Sequence, residues 1–321
     1  MTERVLVTGA TGFVGSHVAE AFVEAGYEVR CSVRTSSNTR WIDSLAVERV
    51  NLDLARPQDL PRALEDVDVV VHAAGVTRAR RPGDYHRINA GGTRTLATAA
   101  ASAAGRRFVF ISSLAAGGPD NALAKDGRDR PASAYGYSKL EAEEYLRAGD
   151  ARMDIVALRL AAVYGPRDTD LLPLFKIARS GWLAVPSAPG LLQPVYAADA
   201  ARAALAAARE PGGFGPHPVA ETNRYTWQDI ADGLELAFGR PVRAVRLPAA
   251  VFKLAGRSAE WVAKLRGVPA IFDERRAKDL AEHTWSCDPS GTERALGWRA
   301  EVRLFEGLER TARWYRRMGW I

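Results

Sequence analysis

Tyr135 and Lys139 stand four residues apart in Ser133-Ala134-Tyr135-Gly136-Tyr137-Ser138-Lys139-Leu140-Glu141. If Ser133 or Ala134 opens a helix, the two side chains share one face of it. A free phenol has a pKa of about 10, which makes it a poor acid–base group at neutral pH. A neighbouring ammonium favours the phenolate and draws that value toward working pH. Ser113 closes the apolar run 108–113 and can donate a hydrogen bond to a substrate oxygen while Tyr135 delivers or removes its proton. Tyr137 and Ser138 fall on other faces of the same helix. A Tyr–Lys pair also occurs on ordinary solvated helices, so the elements around it must decide what it does.

Those elements begin with Val5-Leu6-Val7-Thr8, an apolar run suited to a buried strand, and the turn Gly9-Ala10-Thr11-Gly12-Phe13-Val14-Gly15. An amphipathic helix follows, with Val14, Val18, Ala21 and Phe22 on one face. Glycines allow a sharp turn, close approach of the backbone to phosphate, and tight packing of helix on strand. Free N–H groups and the positive end of the helix dipole then face the anion. Gly9, Thr11, Gly12, Phe13, Val14 and Gly15 are therefore expected to hold a dinucleotide pyrophosphate, and an oxidised nicotinamide would favour the Tyr135 phenolate further. The second strand, 27–33, runs into Arg34-Thr35-Ser36-Ser37 where an acid would hold a ribose 2′-hydroxyl. An arginine with hydroxyls suits a 2′-phosphate instead, which favours NADP over NAD. A third strand, 47–52, ends in Asp53-Leu54, and the near-continuous apolar run 67–72 reads as a central parallel strand. It leads into Ala73-Ala74-Gly75, small residues against which a cofactor can lie, while His72 at its end reads as structural. Asn89 sits in the next helix, where it can disturb the local backbone.

Taken together, TGATGFVG, the LDL after strand three, HAAG, INAGGT, ISS and YxxxK resemble the extended short-chain dehydrogenase/reductase superfamily over nearly the whole chain. The resemblance implies an α/β fold: a Rossmann-type doubly wound parallel sheet with a smaller, interleaved C-terminal substrate-binding domain. It implies hydride transfer at a carbon bearing oxygen, with Ser113, Tyr135 and Lys139 as the catalytic trio and Asn89 supporting the lysine. It places Ser112 along the cofactor site, in company with Asp53, Leu54, Ala73, Ala74 and Gly75. The LR…VYGP segment, 158–166, is similar to one that borders the nicotinamide in the family, and 195–201 resembles a strand and helix that return to the main sheet. The division expected is 1–165 for the dinucleotide and 166–321 for the substrate, with segments near 191–210 returning to the first. Helices 83–104 and 134–148 form a dimerising bundle in many relatives, so a homodimer is expected.

Two enzyme readings compete for the substrate. One is an NADP-dependent reductase or dehydrogenase of a bulky apolar alcohol or ketone, similar to the dihydroflavonol reductase and 3β-hydroxysteroid dehydrogenase branch. The other is a nucleotide-sugar epimerase with tightly bound NAD, against which Leu114-Ala115-Ala116-Gly117-Gly118 lacks the tyrosine of many sugar enzymes. A cofactor-sensing regulator is disfavoured, because Ser113, Tyr135 and Lys139 are all present. The stretch 247–265 sets Val251, Phe252, Leu254, Trp261 and Leu265 among Lys253, Arg257, Lys264 and Arg266. It reads as a lid over the substrate, an interfacial helix resting on a membrane, or a cover for the core. The formal net charge is +6, but no nucleic-acid motif accompanies it. Cys31 and Cys287 have neither metal-ligand nor disulfide-framework spacing, so no metal is expected. Without a run of about 20 apolar residues or a basic leader, the expected location is the cytoplasm.

Overall fold

Strands that are apolar on both faces are stable only between two layers of helices. The computed structural model has that arrangement, and it describes residues 2–79, 81–103, 106–119, 128–149, 153–187, 190–210, 213–265 and 284–321. Arg266 and the side chains of Lys264 and Leu265 lie outside the described residues. In chain order the strands are β1 (Arg4–Thr8), β2 (Glu28–Val33), β3 (Val47–Asn51), β4 (Val69–His72), β5 (Arg107–Ser113), β6 (Asp154–Leu160), β7 (Val163–Tyr164), β8 (Trp182–Pro186), β9 (Val195–Tyr196), β10 (His217–Val219) and β11 (Arg243–Leu247). The helices are α1 (Phe13–Glu24), α2 (Leu60–Leu64), α3 (Pro82–Tyr85), α4 (Gly92–Ser102), α5 (Ala134–Arg147), α6 (Leu172–Ala178), α7 (Ala197–Arg209), α8 (Trp227–Phe238), α9 (Ala249–Leu265), α10 (Ser290–Leu296) and α11 (Leu304–Arg317).

Seven strands form one sheet in the order β10-β6-β5-β4-β1-β2-β3, and each neighbouring pair is parallel. Strand order reverses between β1 and β4, which opens a crevice at their C-terminal ends where ligands of such sheets bind. On one face α1 and α7 bury Val18, Phe22, Ala200 and Ala204; on the other, α4 and α5 bury Leu96, Ala97, Ala142 and Leu146. A third core, with Tyr164, Phe175, Leu183, Leu234, Leu308 and Tyr315, belongs to a smaller unit of α6, α8 and α11 beside the two-stranded β8–β11 ladder.

The return of the chain to the main sheet differs in detail from the expectation. Val195 and Tyr196 pair with Val163 and Tyr164 in a ladder of their own. The strand that joins the main sheet is β10, against β6. Pro194 before β9 and the start of α7 at Ala197 leave only a short extended piece, and His217–Val219 already occupies the β6 edge. As for 247–265, Phe252 is buried, while Val251, Leu254 and Trp261 are exposed. Among the described residues no helix is long and apolar enough to cross a membrane.

Asp199 ties the C-terminal segment to α7. Its fully buried carboxylate accepts the backbone N–H groups of Glu301 (3.2 Å) and Val302 (2.9 Å), and Trp298 Nε1 donates to its carbonyl at 3.1 Å. Asp199→Ala leaves both N–H groups without that acceptor. The expected loss is about 3 kcal/mol of unfolding free energy in urea titration, with a smaller loss for Asp199→Asn.

Candidate active site

Gly9 follows β1 with φ +72°, a left-handed conformation, and a Cβ there would lie 2.7 Å from the Ala73 carbonyl carbon and the Ala74 nitrogen. The ends of β1 and β4 can approach this closely only because Gly9 has no side chain. Gly15, in the first turn of α1, meets the same limit, since its Cβ would collide with the Gly9 carbonyl. Gly12 is exposed and is the N-cap of α1, with no side-chain cap and no acid in the first turn. The first-turn N–H groups of Phe13, Val14 and Gly15 are thus presented to an anion, with Thr11 half-buried beside them. Across the crevice, Ala74 N–H donates to Thr8 Oγ1 at 3.3 Å. This cradle fits a dinucleotide pyrophosphate.

Arg34 is exposed at the end of β2. Its N–H donates to Ser37 Oγ at 3.0 Å, and its carbonyl accepts from Ser37 N–H at 2.9 Å, which closes a tight turn. Arg40 stacks on Trp41 at 4.0 Å, a second arginine in the same loop. Asp53 Oδ1 accepts from Ala55 N–H at 3.0 Å, shaping the turn after β3, and Leu54 points toward α4, where a Cβ at Gly92 would be 3.3 Å from it.

Ser133 caps α5 by accepting from Gly136 N–H at 3.0 Å, and Gly136 lies so close to the Ala115 carbonyl that a Cβ would collide with it. Helix α5 is thereby pressed onto the turn that leaves β5. Tyr135 is half-buried, with the Tyr85 ring edge-on at 6.1 Å. Lys139 is buried; its Nζ donates to the Ile111 carbonyl at 2.8 Å and lies 4.6 Å from the centre of the Phe110 ring. Burial draws its pKa down to about 8, with the Glu143 charge acting in the opposite direction. Ser113 Oγ accepts from Ala115 N–H at 3.2 Å, which leaves its hydroxyl proton available at the end of β5.

Asn89 lies in a π-helical turn, His86–Gly91, between α3 and α4. Its Oδ1 accepts from Val76 N–H at 2.8 Å, while Nδ2 donates to the Val76 carbonyl at 3.1 Å and to Ser138 Oγ at 3.0 Å. A Cβ on Gly75 would be 3.0 Å from Asn89 Oδ1 and 3.6 Å from Lys139 Nζ, so Gly75 sits directly against both groups. Ser112 turns its side chain away from the crevice. Its hydroxyl donates to Glu143 inside the core, where that carboxylate is buried between β5 and α5.

His72 is fully buried between two threonines. Thr93 Oγ1 donates to the Asn89 carbonyl at 2.6 Å, so it accepts from His72 Nε2–H at 3.1 Å; His72 Nδ1 then accepts from Thr8 Oγ1 at 2.7 Å. This assignment makes the imidazole neutral, in line with a pKa pushed down to about 3 by burial and by Lys139. Other groups around the site escaped the sequence reading. Tyr85 Oη accepts from Ala79 N–H at 3.1 Å and holds the loop after Gly75. Arg78 pairs with Asp170 across to the segment that follows β7. In that segment Arg167 has φ +72° and reaches Glu20 of α1 at 2.9 Å.

Comparison with known proteins shows the family and the fold. Residues 5–218 match the sequence profile described as the NAD dependent epimerase/dehydratase family. A ceramide reductase from Caulobacter vibrioides is 35% identical over 99% of this chain and 96% of its own. A UDP-glucose 4-epimerase from Vibrio cholerae is 28% identical over 97% of this chain and 95% of its own. A crystal structure of the Thermotoga maritima UDP-glucose 4-epimerase with UDP-glucose superposes with TM-score 0.80 at 22% identity, covering 98% of this chain and 99% of that one.

Gly15→Ala tests the cradle. The added methyl cannot fit against Gly9, so α1 must shift away from the turn. At least a tenfold weakening of NADPH and NADH binding is expected, read by cofactor fluorescence, with the far-UV circular dichroism retained.

Proposed function

The chain belongs to the NAD dependent epimerase/dehydratase family, within the extended short-chain dehydrogenases/reductases, and on that premise we propose that it reduces the carbonyl of a bulky, apolar substrate with NADPH. The observation that carries this reading is the placement of Lys139, buried beside Gly75 and under Asn89, one helical turn from Tyr135 and alongside the strand that ends in Ser113. When bound, the nicotinamide supplies or accepts the hydride. The Ser113 hydroxyl orients the substrate oxygen by donating a hydrogen bond to it. Tyr135 gives that oxygen a proton as the carbonyl becomes an alcohol, or takes the proton in the reverse direction. Lys139, as an ammonium, stabilises the phenolate that remains. Asn89 holds the backbone at Val76, and with it the wall formed by Gly75.

Arg34, with no acid at the end of β2, supports NADP over NAD, and Arg40 on Trp41 adds a second guanidinium to that loop. The apolar substrate class is supported by the ceramide reductase relative, which aligns over nearly the whole of both chains. In the same reading 1–165 carries the cofactor, together with α7 and β10 from the later half. The remainder carries the substrate, and α4 and α5 form the contact of a homodimer. The second reading is an epimerase that retains NAD, favoured by the epimerase relative.

Titration of the purified protein with NADPH and NADH, followed by ketone reduction assays, separates the two. Exchangeable binding with NADPH at least tenfold tighter, the preference lost in Arg34→Ala, is the expected result; retained NAD, with activity on nucleotide sugars, selects the epimerase. Tyr135→Phe is expected to keep cofactor affinity within about twofold and to lower kcat by about a thousandfold or more. Turnover within tenfold of the natural chain removes Tyr135 from the acid–base role.

A further inference from the structure

Glu143 follows Lys139 by one turn of α5, on the face that also carries Tyr135. It is completely buried. Ser112 donates to its Oε1, while Arg159 donates through Nε to Oε1 at 3.0 Å and through Nη2 to Oε2 at 2.6 Å. The same guanidinium grips Asp129 through Nη1 at 2.7 Å and Nη2 at 2.6 Å. The network thus spans β5 through Ser112, α5 through Glu143, β6 through Arg159, and the segment leading into α5 through Asp129. Gly117, in the turn after Ser113, would set a Cβ 3.0 Å from Arg159 Nη1, so the turn lies directly on the guanidinium.

Lys139 has neighbours from several elements. Strand β5 contributes the Ile111 carbonyl and the Phe110 ring, β4 contributes His72, held neutral, and the π turn contributes Asn89. On its own helix Tyr135 lies one turn before it and Glu143 one turn after; the Glu143 oxygens are bonded to Ser112 and Arg159, so this carboxylate acts on Lys139 through its charge and not as a contact ion pair. Among these described neighbours Glu143 is the carboxylate.

We propose that Glu143 is a positioning residue for the reaction at Tyr135 and Lys139: it is the counter-charge that keeps Lys139 an ammonium in a dry pocket. Through Ser112 and Arg159 it also fixes α5 against β5, so that Tyr135 and Ser113 address one substrate oxygen. This inference rests on the acid–base reading of Tyr135 given above.

The chain has six lysines, so Lys139 can be titrated directly in the cofactor-free protein. With [ε-13C]lysine labelling, the resonance lost in Lys139→Met identifies it by NMR. A midpoint near pH 8 is expected in the natural chain. In Glu143→Gln it is expected to fall by about one pH unit or more, because the charged form loses its anion while burial remains. The alkaline limb of the kcat/KM profile should move in the same direction, which lost packing alone does not produce. An unmoved midpoint in folded Glu143→Gln overturns the inference.

Glu143→Gln leaves Arg159 partly unpaired and can fail to fold. The double variant Glu143→Met with Arg159→Met removes a cation together with the anion and leaves Asp129 without its partner, so a smaller downward movement is expected; no movement, or an upward one, in the folded double variant overturns the inference. Tyr135→Phe separates the two readings. If Tyr135→Phe turns over normally while the midpoint moves, the acid–base reading fails and the electrostatic link stands. If Tyr135→Phe is inactive and the midpoint stays, the inference about Glu143 fails alone.

Discussion

A lysine buried in a protein interior tends to lose its proton, because its charged form is stable only where polar groups replace water. The surroundings of Lys139 answer that demand from three directions. Strand β5 supplies the Ile111 carbonyl, the Phe110 ring supplies its negative face, and α5 supplies a carboxylate one turn on. Each contribution depends on exact placement of a larger element. Helix α5 must start at Ser133, pass within backbone contact of Ala115, and lie along β5, which is why Gly136 has no room for a side chain. The local sequence that caps the helix therefore also determines how deeply the ammonium sits.

The dinucleotide cradle meets the lysine pocket through backbone as well as side chains. Gly9 lets the end of β1 press against Ala73 and Ala74, and the chain from β4 then continues through Gly75 to Val76. Asn89 clasps both polar groups of Val76 and bonds to Ser138, whose own hydroxyl donates to the Tyr135 carbonyl at 2.7 Å. Behind that layer, Thr8, His72 and Thr93 form a relay of hydrogen bonds ending on the Asn89 carbonyl. Every polar group in this relay has a donor or acceptor that the neutral imidazole can serve, which explains a histidine at the end of an otherwise apolar strand. A shift of β1 against β4 would be felt at Asn89, although the two lie far apart in sequence.

The parts of this site legible in the sequence are those in which one short segment carries its own geometry. The glycine turn announces itself, since only glycine satisfies the backbone at position 9 and the packing at position 15. Tyr135 and Lys139 are legible because helical spacing alone puts them on one face. The roles of Glu143 and Arg159 are not legible in that way. A glutamate in a helix rich in glutamates reads as solvated, and only the packing of β5 and β6 beside α5 shows that this one is buried. Tyr85 is hidden for a similar reason, because its partners Ala79 and Tyr135 belong to two other segments. The bond from Ser112 to Glu143 is hidden in the same way: strand alternation sends the Ser112 and Ser113 hydroxyls to different faces, and only the fold shows that the first meets a buried carboxylate. The pairing of Val195 and Tyr196 is not legible either, because two extended residues before a helix look alike whether they pair with the main sheet or with β7.

The network of Ser112, Glu143, Arg159 and Asp129 is hard to account for by stability. Removing two opposite charges from water costs several kcal/mol per ion, and apolar side chains of similar volume commonly serve a core as well or better. Yet Glu143 and Arg159 are among the most completely buried charged groups described, and their ion pairs join β6, α5 and the segment leading into α5. Two features of the network bear on this. With Lys139 included, the local set comprises two cations and two carboxylates, so the pocket holds an ammonium without a net buried charge. The bonds are also directional: a guanidinium gripped by two carboxylates admits few orientations, whereas an apolar cluster of the same volume would let α5 slide or rotate against β5. A proton transfer between a phenol and a substrate oxygen tolerates little error in distance. The buried ions are thus best understood as fixing the relative position of β5 and α5, with the electrostatic support of Lys139 arising from the same carboxylate.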